Sequence, residues 1–209
     1  MKKTFIFALL MGVIASFCAC DGCGKKEGNV EVGDSVAPFV VENIISTDKQ
    51  AMFVNHGGDY RWFETMILFN DFMDEETDGS ISEVVNVFQA VVGNDSCADV
   101  KVFKFQHLAD GTFATDSVNG FWIEDLPIVD SLAIIPFDSA YALIQQVNYP
   151  KPHSRHACLR TPLGPIPVNP QWVFGNIQSQ LWVDAVTGEI KLTNPAFPDG
   201  FKMPLGEWP

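Results

Sequence analysis

The sequence predicts an α+β fold: an antiparallel β-sheet-rich body with one amphipathic helix packed on the sheet in its C-terminal part. Three observations carry this expectation. From Ala51 to Leu126 the chain is rich in β-branched and aromatic runs separated by turn residues. At Ile135 the apolar period changes from that of strands to that of a helix. Beyond a proline-rich stretch, two short apolar runs flank Asp184-Ala185-Val186-Thr187-Gly188, the composition of a tight hairpin.

Taken in order, Trp62 to Phe72 is dense in Phe, Met, Ile and Leu, and Ile81 to Val92 carries six β-branched residues and a Phe. Both read as strands because such side chains pack well on a pleated surface. Val100 to Leu108 sets Val102 and Phe105 among Lys101, Lys104 and Gln106, the broken alternation of a partly solvated strand. Asp110-Gly111 lies between two Phe-containing runs and marks a hairpin. Phe121-Trp122-Ile123 reads as a further strand closed by Pro127. Phe137, Ala140, Tyr141 and Ile144 then follow helical spacing over 136–147, with Pro136 suited to the first turn and Asp138 to the positive end of the helix dipole. Pro150 and Pro152 end that helix, and 150–170, with six prolines, reads as mostly extended loop. Gln171 to Phe174, Gln180 to Asp184 and Glu189 to Leu192 are short strands. The tail 194–209 offers Phe197, Phe201 and Trp208 for packing back on the body.

Composition limits the function classes. Apolar residues make up 47% of the 209 and charged ones 19%, which suits a packed core and not a disordered chain. The 26 acids against 13 bases give a formal charge of −13, which repels phosphate backbones and excludes nucleic acid as a main partner. No run of 18 or more apolar residues occurs beyond the first twenty, so the chain is not a multi-span membrane protein.

The first residues read as an export signal. Lys2 and Lys3 form a positive start, and Phe5 to Phe17 is almost wholly apolar, too short to span a bilayer but suited to a signal-peptide core. The following Phe17-Cys18-Ala19-Cys20 resembles the lipobox of bacterial lipoproteins. That resemblance implies cleavage after Ala19, acylation of Cys20, and a place in the cell envelope, anchored to the outer membrane on its periplasmic or surface side. Cleavage there removes two of the 13 bases and no acid, leaving 11 against 26, or −15. So acidic a body has no electrostatic hold on anionic lipid, and acyl chains at about 0.8 kcal/mol per buried CH2 are left to anchor it. The expected organisation is signal peptide 1–19, a Gly-rich lipid-anchored tether 20–35, a β-rich segment 36–130, and a C-terminal unit 131–209.

The C-terminal unit carries a second resemblance. Ile135-Pro136-Phe137-Asp138-Ser139-Ala140, then Trp172-Val173-Phe174, then Val183-Asp184-Ala185-Val186-Thr187-Gly188-Glu189-Ile190 resembles a PepSY-type domain over about residues 132–192. The resemblance implies a helix-strand-strand arrangement and an extracytoplasmic binding or inhibitory module rather than a catalyst.

Candidate chemistry is sparse. Asp74, Glu76 and Asp78 with Gly79 partly copy a calcium loop, but position 12 of that pattern is Val85 and both flanks read as strands, so a solvated turn is the expectation. Lys151, His153, Arg155, His156 and Arg160 form the one basic segment of an acidic chain. They are speculative ligand-binding residues, with capture of a carboxylate by an Arg fork set against internal pairing with the excess acids. His153 and His156 with Cys158 also present zinc-ligating groups, although Arg155 sits among them. Cys97 and Cys158 are open to two readings, a disulfide in an oxidising compartment or buried free thiols. No serine-nucleophile elbow, phosphate loop or His-Glu-x-x-His motif occurs, and His56-Gly57-Gly58 reads as a turn. Trp62, Trp172 and Trp182 fall on strands and belong to the core.

These readings converge on an extracytoplasmic, lipid-anchored, non-enzymatic protein that binds or modulates a peptide, a protein or an envelope component. It is expected to work without a cofactor, and its partners are the membrane through the anchor and a peptide or protein. The alternatives are a metal-dependent hydrolase using the His153/His156 loop and a structural envelope subunit.

Overall fold

The computed structural model describes residues 39–76, 78–93 and 99–198. The signal, Cys20 and the tether lie outside the described residues, as do Cys97, Phe201 and Trp208. Two helices, α1 (Val41–His56) and α2 (Phe137–Gln146), pack on one face of an antiparallel sheet. Its strands are β1 (Tyr60–Phe69), β2 (Ile81–Val92), β3 (Asp99–Leu108), β4 (Phe113–Asn119), β5 (Asp125–Leu126), β6 (His156–Pro162), β7 (Gln171–Asn176), β8 (Ser179–Asp184) and β9 (Ile190–Lys191).

The spatial order β4-β3-β2-β1-β6-β7-β8-β9 contains two consecutive meanders, each entered from a helix. They meet along one antiparallel ladder that runs from Glu64↔Arg160 to Leu68↔His156. The two short residues of β5 pair with Pro162 and Thr161 at the end of β6. No helix among the described residues is long and apolar enough to cross a membrane.

Why the chain adopts these elements is plainest where apolar spacing and turn chemistry agree. β2 and the Asp110-Gly111 turn fall where the pattern puts them, with Gly111 at φ 87°, a left-handed conformation that glycine enters without a Cβ clash. In α2, Phe137, Ala140 and Ile144 turn into the core, as the spacing requires. Phe137 sits at the centre of an aromatic group with Phe69, Tyr141, Trp172 and Phe174, its ring centroid 5.3 Å from that of Trp172 and 5.8 Å from that of Phe69. Because Phe69 is on β1 and Trp172 on β7, this group joins the cores of both meanders. Trp62, Trp172 and Trp182 are all buried.

Three sequence expectations are corrected. The stretch from Ala51 is not strand from its start, because α1 extends to His56 and turns at Gly57, whose N–H donates to the Phe53 carbonyl at 2.8 Å. Its buried stripe is Val41, Ile45, Asp48 and Met52. An acid within that stripe and β-branched residues along the helix hide the apolar period. The body therefore carries two helices rather than one.

Phe121-Trp122-Ile123 is loop, with Phe121 and Ile123 facing solvent and the Trp122 N–H groups bonded to Gln89 and Asp125. Most consequentially, the proline-rich 150–170 stretch contains β6, which lies at the middle of the sheet. Its prolines fall before the strand, at its last residue and beyond it, where they cost no ladder bond within it, so a central strand fits between them.

The terminal hairpin is organised by Asp184. Its Oδ1 accepts the N–H groups of Val186 at 2.9 Å and Thr187 at 2.8 Å, and Oδ2 accepts Asn169 Nδ2 at 3.0 Å. Although burial pushes the carboxyl upward, these donors hold it below the usual aspartate range. Gly188 closes the turn at φ 76°.

Asp184→Ala leaves two turn N–H groups and the Asn169 amide without their acceptor. It is expected to lower unfolding free energy by about 1.5–3 kcal/mol, the usual size for hydrogen bonds to a charged group. A denaturant midpoint shift at unchanged m-value is the measurement.

Candidate functional site

The seam between β1 and β6 is the point on which polar and titratable groups converge, and its two faces differ in chemistry. Side chains directly opposite one another in an antiparallel pair share a face. Thr65, Ile67, Ala157 and Leu159 therefore point toward the helices, and Glu64, Met66, Cys158 and Arg160 toward the opposite face.

On the helix face a buried polar network ties α1 to the first meander. The Thr65 hydroxyl donates to Asn86 Oδ1 at 2.5 Å, and Asn86 Nδ2 donates to Asp48 Oδ2 at 2.7 Å. His107 Nε2 lies 3.0 Å from both Asp48 oxygens, and the Trp62 indole N–H donates to Thr65 at 3.2 Å. Asp48 is only 2% exposed, so this set of partners is what makes a carboxylate tolerable inside the helix stripe.

Beside it runs a groove of about 600 Å3 between α1 and the 129–136 segment. Phe53, Tyr60, Trp62 and Leu132 give it apolar walls; Ser46, Gln50 and Lys49 add polar groups. Lys49 Nζ sits 3.7 Å from the Trp62 ring centroid and 2.7 Å from Asp130 Oδ1, so one ammonium links α1, β1 and the opposite wall. At the far end the Glu42 carboxylate accepts the Phe137 N–H at 2.5 Å, capping α2, which has no side-chain cap of its own.

On the opposite face the seam holds a charged cluster. Arg160 Nε donates to Asp125 Oδ1 at 2.6 Å, with the Asp125 side chain fully buried, and Arg160 also reaches the Glu124 carbonyl at 3.3 Å. Glu64 is 5% exposed and lies across the ladder from Arg160. Burial first, and then the nearby Asp125 charge, push its carboxyl up to about 7, against the pull of Arg160. Burial likewise raises Asp125, and it pushes the Cys158 thiol well up, which keeps that sulfur protonated and unreactive.

The residues singled out in the sequence are dispersed. Lys151 Nζ donates to the Ile144 and Val147 carbonyls at the C-terminal end of α2, where a cation is favoured. The His153 ring stacks on Phe72 at 4.1 Å, and its Nδ1 lies 2.9 Å from Asp74 Oδ1, so this partner of the basic segment comes from the acidic turn. Arg155 Nε donates to the Phe69 carbonyl at 2.8 Å, and Arg160 to Asp125. His156 opens β6 at the end of the seam opposite Leu68. In the Asp74–Asp78 turn, Asp78 Oδ1 accepts the Ser80 N–H at 2.8 Å. Among the described residues, no three His, Cys, Asp or Glu side chains come together as a metal-holding group. Cys158 is a free thiol, and Cys97 lies outside the described residues.

Sequence reasoning missed Glu64, Asp125 and the groove. Glu64 carries a readable signal, since it interrupts an otherwise apolar strand. Asp125 carries none, because its role depends on a pairing 35 residues away.

A carboxyl that binds its proton more tightly in the fold than in the unfolded chain adds stability at low pH. That contribution is complete below its ordinary value of 4.5 and drains away as pH rises to about 7. Glu64→Gln is therefore expected to flatten the pH dependence of unfolding across that window. At about pH 8 it should stabilise the protein by about 1–3 kcal/mol, read by thermal or urea unfolding.

Searches against protein-family models, curated proteins and solved structures find no match to this chain.

Proposed function

We propose that this chain is a lipid-anchored, extracytoplasmic, non-enzymatic binding or modulating protein, and that it holds an extended segment of peptide or protein in the groove between α1 and residues 129–136. The observation that carries the reading is the composition of that groove: broad apolar walls with a few fixed polar groups, the mix that holds an extended chain by burial and orients it by hydrogen bonds. Phe53, 56% exposed at the groove's edge, offers an aromatic anchor to a partner. The preferred segment is apolar with a basic rather than an acidic residue, because the chain as a whole carries −13 and the groove's one ammonium is already held by Asp130. The resemblance of 132–192 to PepSY-type domains, and of Phe17–Cys20 to a lipobox, supports an envelope role.

Two measurements test the reading. Acylation at Cys20 makes Cys20→Ser lose the lipid mass and appear in the soluble fraction; an unmodified, membrane-free wild type overturns the anchor. For the groove, a displayed library of random extended peptides is selected on the full-length protein. Enriched peptides are expected to lose at least about tenfold in affinity on Phe53→Asp, the cost of about 1.4 kcal/mol typical for losing an anchor, and to be unaffected by Ile177→Asp, an even more exposed apolar residue on the β7–β8 turn. A library that yields no binder, or binders indifferent to Phe53, overturns the groove.

A further inference from the structure

The segment joining the two meanders passes from one face of the sheet to the other. It leaves β4 at Gly120 and crosses the face opposite the helices, where the Trp122 N–H donates to Gln89 Oε1 at 2.8 Å and its indole N–H to Asp125 at 3.3 Å. Lys104 Nζ lies 5.7 Å from the Trp122 ring centroid. The β1–β6 ladder stops at Glu64↔Arg160, and past that point the strands take this segment as partner. Asp125 and Leu126 pair with Pro162 and Thr161, and Ile128 bridges to Trp62, whose carbonyl accepts the Ile128 N–H at 2.7 Å. Residues 125–128 thus fill the fork between the two strands. On the helix side the chain emerges as Val129, Asp130 and Leu132, one wall of the groove.

We propose that residues 121–132 are a pH-responsive strap: the charge on Glu64 sets how firmly Asp125 is held in the fork, and through it how rigid the groove wall is. The functional meaning of the wall rests on the groove reading; the response of the strap does not. With Glu64 protonated, the buried site holds one guanidinium and one carboxylate, Arg160 and Asp125, which balance. Loss of the Glu64 proton to solvent leaves a second buried carboxylate beside one guanidinium, which weakens the hold on Asp125.

The groups facing Glu64 bring no charge that cancels this change. Cys158 on β6 stays a thiol whose hydrogen bond to Glu64 favours the ionised carboxylate but adds no charge, Glu124 on the strap adds like charge, and Val87 on β2 and Gln171 on β7 are uncharged. Lys104 stands one strand further out, opposite Val87, and Glu83 lies at the other end of β2, opposite Leu68. Glu64 is poised to titrate near neutrality, which puts the change within a physiological range. The fork itself is loosely satisfied: among the described residues, the buried Thr161 Oγ1 has no hydrogen-bond partner.

Hydrogen exchange of the full-length protein, corrected for intrinsic rates, tests the strap without any ligand. Between about pH 6 and about pH 8, protection of amides in 121–132 is expected to fall by about tenfold while that of α2 stays level. Glu64→Gln should hold the strap at its low-pH protection throughout, and Asp125→Asn should give low protection at both values. Equal protection at both pH values in the wild type, or a surviving pH response in Glu64→Gln, overturns the proposal. Groove peptides should bind with different affinity at the two pH values in the wild type and with equal affinity in Glu64→Gln. A strap that loosens without altering their affinity overturns the link to the groove, whereas a groove that takes no peptide at either pH is a failure of the binding reading alone.

Discussion

Two four-stranded meanders, each with its own helix, become one sheet where β1 and β6 pair directly in a short antiparallel ladder. Without it, each strand presents a row of unpaired N–H and C=O groups as an edge next to a hydrophobic core. The ladder is also the most distant strand pairing among the described residues, joining Glu64 to Arg160 across the whole first meander and α2. Closing it therefore costs more chain entropy than closing the local hairpins on either side. The aromatic group around Phe137 offsets that cost from the helix side, because it takes Phe69 from one meander and Trp172 and Phe174 from the other. Burying large apolar rings is the strongest non-directional term available to hold two such halves together.

The polar groups on the seam follow from the same constraint. A two-layer arrangement with helices on one face only leaves the other face to be covered by loops. On that face Val87, Val102, Val173 and Trp182 are nonetheless buried. Glu64 and Asp125 are acceptable there because Arg160 stands between β6 and the joining segment. Removing that guanidinium would strand two carboxylates in a site with little water, which costs more than any surface pair contributes. The network of Asp48, Asn86, Thr65 and His107 answers the equivalent problem on the helix face: it fixes where α1 sits by giving one buried acid a complete set of partners.

How much of this was legible in the chain depended on range. β2, β3, the Asp110-Gly111 turn, α2 and the Asp184 hairpin are set by neighbours within a few residues, and their periodicity and turn chemistry declare them. α1 was obscured because its inward stripe includes Asp48, and Asp48 is satisfied only by residues 38 and 59 positions away. β6 was obscured because prolines flank it, while its place at the centre of the sheet is decided by β1 and β7 and by nothing inside the segment. The basic cluster was visible as composition, yet Lys151, His153, Arg155 and Arg160 each meet a different partner, since only Arg160 lies within β6 and the other three sit on the loop leading into it. Glu64 was readable only as an odd residue in an apolar run; the ion pair that gives it meaning comes from both sides of a fork that no local pattern records.

That fork is itself a topological consequence. The chain finishes its first meander at the outer strand β4 and must start its second beside β1, at the centre. It therefore has to return across a sheet face, and it does so on the face opposite α1, which already occupies the other. α2, however, packs on the same side as α1, so the returning chain must change faces before residue 137. A closed ladder offers no passage, and the chain crosses where β1 and β6 part beyond Glu64 and Arg160. The residues that make the crossing consequently touch the charged cluster on one side and Lys49 of α1 on the other, six residues apart from Glu124 to Asp130. Coupling between the two faces then needs no long relay of side chains: a single short backbone segment, paired to two strands, is in contact with both.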